Sequence, residues 1–343
     1  MRIKNVTLGS TGITTPQNGF GALPIQRDDV DTAVAILRRA YEGGMTFFDT
    51  ARAYSDSEVK VGIALSDVRD KIFIATKTMA QNTEDMKAQL ETSLNNLKTD
   101  YIDIYQFHCA GQVWAPEDGT GMYELMEDFK RQGMIRHIGI TAHKIGVAED
   151  AVDSGLYETL QFPLSYLSGQ REIDLTKRCE DHNMGFIAMK GLAGGLITDS
   201  KMAMAFMTPF NNVVPIWGVQ RMNELEEWLA FMNDVPELTE DILQAIATDK
   251  ASMDGEFCRG CGYCMPCPKG IVINNCARMS LMLRRAPSSA WLNDYWQEQM
   301  SKIPECIECG ACKSKCPYEL NTPELLKKNY ADYQKVLAGE VQV

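Results

Sequence analysis

The chain has 343 residues, 45 % of them apolar and 23 % charged, with a net charge of −12. Such a length exceeds one small domain and suits a large barrel with an appendage. The acidity argues against a binder of phosphate backbones. The opening MRIKNVTLGS lacks a signal peptide's apolar stretch, and no apolar run is long enough to cross a bilayer, so a cytoplasmic enzyme with no membrane or nucleic-acid partner is expected.

Short apolar runs and helical patterns alternate along the first 250 residues. The runs GFGALPI (19–25), MTFFD (45–49), IFIATK (72–77), IDIYQFH (102–108), IRHIGI (135–140), TLQFP (159–163), GFIAM (185–189) and VVPIW (213–217) read as buried strands. Helical spacing covers 30–42, 57–66, 83–97, 120–132, 145–154, 171–182 and 222–232. Strand–helix alternation implies a parallel sheet, and this many units predicts an α/β fold, a closed (β/α)8 TIM barrel over residues 1–250. A doubly wound open sheet is the alternative. It wants a glycine-rich dinucleotide turn after an early strand, and GFGALP lacks the third glycine.

Barrel chemistry sits at the C-terminal ends of the strands. The second strand ends in Asp49, with Tyr54 in the loop beyond. The third ends in Lys77 and the fourth in His108. Each alone has a bland reading, as a turn residue or a satisfied core group. Together they are four titratable groups on three adjacent strands, facing one mouth.

Residues 251–343 form a second domain, marked by cysteine. Of 11 cysteines, only Cys109 and Cys179 precede residue 250. These two and Cys276 read as buried packing residues. One run is Cys258-x2-Cys261-x2-Cys264-x2-Cys267-Pro, the other Cys306-x2-Cys309-x2-Cys312-x3-Cys316-Pro. The second has the bacterial ferredoxin spacing, in which three thiolates hold one [4Fe–4S] cube and the fourth reaches the other. That assigns Cys258, Cys261, Cys264 and Cys316 to one cluster, and Cys306, Cys309, Cys312 and Cys267 to its partner. The first run is one residue short before its last cysteine. Structural zinc is the alternative, but it usually wants two CxxC pairs across a spacer. Between the runs, helical spacing with a Pro-Ser-Ser break at 287–289 resembles the mostly helical two-cluster ferredoxin domains appended to many oxidoreductases.

The stretches GGMTFFDTARAYSDSEVKVGIAL, IFIATK, YIDIYQFH and IRHIGIT run in order through the first half. Here the chain resembles the aldo/keto reductase superfamily, in the subgroup carrying a two-cluster tail. The resemblance matches Asp49, Tyr54, Lys77 and His108 to the family's tetrad. It implies reduction of a carbonyl to an alcohol, or the reverse. Tyr54 is then the general acid or base, its pKa lowered by the Lys77 ammonium, which Asp49 keeps charged. His108 orients the carbonyl oxygen.

For NAD(P)H, the resemblance points to Gln161, and to Thr141 and His143 where the family commonly has Ser and Asn. Lys190 replaces an aromatic region after the seventh strand, and reads either as a receptor for substrate anions or as a packing lysine. After the eighth, Gly218, Val219 and Gln220 offer backbone N–H groups to a phosphate, and Arg221 suits a 2′-phosphate. Glu227 matches an adenine-side Glu, although Trp228 replaces the usual Asn. Trp114 and Trp217 read as pocket walls or core. Hydride moves two electrons and a [4Fe–4S] centre one, so a flavin or a redox partner protein would be needed to couple them, and no flavin signature is visible. Two further readings follow: a ferredoxin-type oxidoreductase without nicotinamide, and a non-enzymatic redox-sensing subunit.

Overall fold

A short antiparallel hairpin comes first, β1 (Asn5–Thr7) against β2 (Thr14–Pro16), with Val6 opposite Thr15. Three residues per strand are too few for alternation to register, and the hairpin has no counterpart among the expected elements. Its Val6, and Leu8 and Ile13 in its turn, are buried with Phe47, Ala75, Ile104, Ile187 and Val214 of the strands that follow.

Those strands are β3 (Gly19–Gly21), β4 (Phe47–Asp49), β5 (Phe73–Thr78), β6 (Ile102–Phe107), β7 (Ile135–Thr141), β8 (Thr159–Pro163), β9 (Gly185–Met189) and β10 (Val213–Gly218). They pair in parallel in chain order, and β10 pairs with β3 to close the barrel. The molecule is therefore a (β/α)8 barrel in this computed structural model, which describes residues 1–253, 257–285 and 288–343. A parallel strand buried on both faces is apolar at nearly every position, which is why these runs were conspicuous without alternation. β3 stops at Gly21, not at 25. Pro24 has no N–H to give a ladder, and a 3-10 turn begins there, Pro24–Arg27.

Helix ends follow side-chain chemistry. Asp29 accepts the N–H of Thr32 ahead of Val30–Glu42, and Asn82 accepts that of Asp85 ahead of Thr83–Leu97. The helix Ser200–Met207 was not expected. Its SKMAMAFM is apolar on too many sides to show a period, and Ala203, Met204, Ala205 and Met207 are all buried.

Contacts divide the chain into Met1–Gly191 with Ser200–Thr239, and Leu192–Asp199 with Glu240–Val343. The second unit contains helices and no strand among the described residues, including Glu240–Ser252, Met279–Arg285, Asp294–Ser301 and Thr322–Leu337. The last of these buries Leu325, Leu326, Tyr333 and Val336 in a core with Ile271, Met279, Leu283 and Met300. Of the expected break at 287–289, Ser288 and Ser289 lie in a 3-10 turn, Ser288–Ala290, and Pro287 lies outside the described residues. No helix among the described residues is long and apolar enough to cross a membrane.

One glycine fixes the spacing of two barrel helices. A Cβ on Gly62, in the helix Ser57–Leu65, would lie 2.1 Å from the backbone oxygen of Asn96. A backbone oxygen cannot rotate away, so Gly62→Ala is expected to cost about 1–3 kcal/mol by overpacking. A shifted urea midpoint with an unchanged m value would register it.

Candidate functional site

Asp49 ends β4 and Lys77 stands next to last on the adjacent β5. Both are buried, and the Lys77 ammonium donates to the two Asp49 oxygens at 2.8 Å each and to the carbonyl of Thr50 at 2.5 Å. An ammonium has three donors, so these contacts use its full capacity. The Tyr54 ring, on the loop after β4, has its centroid 5.2 Å from the ammonium nitrogen. His108 directly follows β6, its ring 5.7 Å from that of Tyr54 and edge-on to it. The four expected residues therefore stand together at one mouth.

The electrostatics differ from expectation. Burial raises the Tyr54 phenol well above its ordinary value, and the Asp49 carboxylate pushes the same way. Lys77 was expected to lower it. Its donors are instead taken up by Asp49 and Thr50, and the phenol is held neutral. His108 is lowered to about 3, by burial and then by the Lys77 charge, so its imidazole is also neutral. Its Nδ1 is buried and has no hydrogen-bond partner among the described residues. A groove beside it is lined by Thr78, Gln81, Cys109 and Trp114.

The cysteine reading fails at Cys109. It is only partly buried, with φ +50°, and its sulfur lies 3.9 Å from His143 Nδ1. Cys179 and Cys276 are buried as expected. His143 is lowered to about 3, by burial first and by the Lys190 charge second. Lys190 itself has a left-handed backbone, φ +58°.

The expected nicotinamide residues are gathered unevenly. Thr141 accepts the Cys109 N–H through its hydroxyl at 2.7 Å. The Gln161 amide donates to Asp49 at 3.4 Å and accepts from Gln106 at 2.9 Å, so it is built into the polar centre of the barrel. From the end of β10, Gly218 and Val219 lead into the helix Met222–Ala230. There the Glu224 carboxylate accepts the N–H groups of Gln220 at 2.9 Å and Arg221 at 3.0 Å. Of the three backbone donors expected to meet a phosphate, Gln220 is thus already engaged by an anion. Arg221 is exposed, 3.8 Å from Glu224, and Glu227 is exposed on the same helix. Trp228 is buried and stacks on Trp217, centroids 3.9 Å apart, which resolves Trp217 as core. Sequence reasoning passed over Glu224, although an acid three residues after a helix start is a capping signal.

In the second unit, Cys264, Cys267, Cys306, Cys309 and Cys312 line one pocket. Cys258 feels the charges of Cys261 and Cys316, and Cys264 those of Cys258, Cys261 and Cys312. Burial pushes the Cys264 thiol up to about 12 and also raises Cys258 and Cys312. Eight thiols so gathered fit a thiophilic metal group, which must displace their protons and offset the repulsion between thiolates.

Comparison with known proteins agrees with both halves. The Aldo/keto reductase family model matches residues 15–230, and a 4Fe-4S dicluster domain matches residues 257–321. Uncharacterized oxidoreductase YqkF of Bacillus subtilis is 29 % identical over 214 residues, 58 % of this chain and 68 % of its own. Further curated relatives are matched over 54–63 % of their lengths. Among solved structures, aldo-keto reductase AKR11C1 from Bacillus halodurans superposes with a TM-score of 0.64 at 22 % identity, covering 72 % of this chain and 96 % of that one. An aldo-keto reductase from Klebsiella pneumoniae, solved in complex with NADPH, gives 0.62 at 24 %, covering 72 % and 95 %.

The two depressed histidines make stability depend on acid. A neutral His in the folded state and a protonated one in the unfolded state draw protons to the unfolded chain, so stability is full above about pH 6.5 and declines as pH falls. Each such group contributes about 1.4 kcal/mol per pH unit below that point. His143→Asn is expected to flatten the decline of the urea midpoint between about pH 6.5 and 5, above the range of carboxylate titration. An unchanged slope would show that His143 does not supply this proton.

Proposed function

The chain belongs to the aldo/keto reductase family and is an oxidoreductase, and we propose that it interconverts a small-molecule carbonyl and alcohol with Tyr54 as the proton donor and acceptor. The supporting observation is the Lys77–Asp49 pair with Tyr54 and His108 at the same barrel mouth. In reduction, the neutral phenol gives its proton to the carbonyl oxygen. The neutral imidazole of His108 donates a hydrogen bond to that oxygen and holds the carbonyl in line. Lys77 lies near enough to stabilise the phenolate left behind, and Asp49 fixes its position. A nicotinamide cofactor, when bound, supplies the hydride. Gln161, Thr141 and His143 would face its ring, and Gly218, Val219, Gln220 and Arg221 its phosphates, with Glu227 toward the adenine.

In the tail, Cys258, Cys261, Cys264 and Cys316 would hold one [4Fe–4S] cluster, and Cys267, Cys306, Cys309 and Cys312 the second. Such clusters, when bound, carry single electrons. The common pocket of Cys267, Cys306, Cys309 and Cys312, which Cys264 also lines, supports a thiolate site there. A redox partner protein would exchange these electrons.

Tyr54→Phe removes the proton donor and keeps the ring. It is expected to lower carbonyl reduction by about 10²–10⁴-fold with the far-UV spectrum unchanged. Because the phenol is raised and His108 is lowered to about 3, both stay neutral over a wide range. The wild-type rate should therefore be flat from about pH 5 to about pH 10. An ionisation near neutrality that disappears in Tyr54→Phe would refute the neutral-phenol account.

One observation favours a second reading, an electron-transfer oxidoreductase that uses no nicotinamide. Glu224 holds the Gln220 N–H, one of those that a cofactor phosphate would need, and the Arg221 N–H beside it. Glu224→Gln keeps an acceptor there and removes the charge. On the first reading it tightens NADPH binding roughly threefold or more, as expected for an anion removed from a helix N-terminus. Fluorescence titration with no NADPH binding in either form, beside clusters reducible by dithionite, would select the second reading.

A further inference from the structure

Arg278 is 8 % exposed, an unusual burial for a guanidinium, and it lies in the same unit as the cysteine runs. It packs between two glycines. A Cβ on Gly260 would be 2.7 Å from its Cζ, and a Cβ on Gly194 would be 2.7 Å from Nη1. Both glycines have left-handed backbones, φ +67° and +68°, a conformation that favours glycine, and a Cβ at either would displace the guanidinium. Gly260 lies between Cys258 and Cys261 and gives its N–H to the Cys258 sulfur at 3.4 Å. Against this, Arg278 has little pairing. Nη1 reaches the carbonyl of Ala193 at 3.5 Å, and Nε is buried with no hydrogen-bond partner among the described residues. No carboxylate is paired with it among the described ion pairs.

A buried cation without a carboxylate is costly unless another anion meets it. Cys258 and Cys261 flank the Gly260 on which it packs, and their thiolate charges act on it. The second set of cysteines has a different setting. The pocket it shares with Cys264 is lined by Lys269 and Glu308, which are exposed and of opposite sign. Water and salt screen such charges.

We propose that Arg278 is a positioning residue that sets the reduction potential of the cluster held by Cys258, Cys261, Cys264 and Cys316 above that of its neighbour. The inference rests on the two-cluster reading given above. Reduction adds one electron from an external one-electron donor to the cluster, with no proton and no bond broken. The product carries one more negative charge, and a nearby buried cation stabilises it more than the oxidised form. Electrons entering the tail would then settle on the Arg278 side.

The test is an anaerobic dithionite titration of the full-length holoprotein, followed by EPR. Iron and acid-labile sulfide analysis of the wild type first shows whether two clusters are present, and a zinc-loaded or single-cluster protein would defeat the underlying reading instead. With two clusters, Arg278→Gln is expected to shift one midpoint downward by at least tenfold in its reduction equilibrium, about 59 mV for one electron. The other midpoint should hold. Arg278→Lys keeps the charge and should restore the potential. If Arg278→Gln fails to load its cluster, Arg278→Lys alone decides, since a tenfold shift with the charge retained overturns the proposal. Two intact clusters with unchanged midpoints in Arg278→Gln would overturn it as well.

Discussion

The buried bond between Lys77 and Asp49 organises the barrel mouth. Two adjacent parallel strands bring an ammonium and a carboxylate into bidentate contact away from water. Removing either partner would strand a buried charge, at a cost of about 3–5 kcal/mol. The same contact has a chemical consequence. With two donors on Asp49 and one on Thr50, Lys77 offers its neighbour an electric field and no hydrogen bond. The Tyr54 phenol is therefore governed first by burial. A phenol held neutral suits the donation of a proton in reduction, and the ammonium acts only as negative charge develops on the ring oxygen.

Much of the architecture was legible because closed parallel sheets impose a plain pattern. Eight apolar runs appear as eight strands, and the helices Val30–Glu42 and Thr83–Leu97 begin where Asp29 and Asn82 cap them. Where the reading failed, the local signal was weak or overruled. Pro24 cut the first strand short, and Ser200–Met207 hid in a run apolar on too many sides to show a period. The juxtaposition of Asp49, Tyr54, Lys77 and His108 could be anticipated, since strand ends in a barrel share one face. Contacts that depend on loop conformation could not. No spacing announces that Cys109 turns left-handed toward His143, or that Arg278 nestles against Gly260 from a turn between two helices further along the chain.

The loop after β10 illustrates how one feature supports opposite inferences. A helix start with free N–H groups is an anion site, and Gly218, Val219 and Gln220 have the composition for one. A helix start with an acid three residues in is also self-capping. Glu224 realises the second outcome. Its carboxylate marks where negative charge is welcome, and a phosphate of higher charge competes for the same donors only by displacing it. Trp228 removes another option by stacking on Trp217 instead of leaving room for a polar partner.

The two halves of the chain pose one electronic problem. Barrel chemistry at a phenol and an imidazole moves protons and, with hydride, electron pairs. Thiolate-bound iron moves electrons singly. A chain that gathers both sets of residues must either keep the two activities apart or bring in a group or partner that accepts electrons in both ways. Unequal potentials bear on that choice. Two clusters at the same potential share an electron evenly, whereas a buried cation beside one of them makes that one the resting place. An electron held at a defined position can wait for a second to arrive on its neighbour, and a pair of clusters so biased is suited to delivering two electrons in quick succession to whatever receives them.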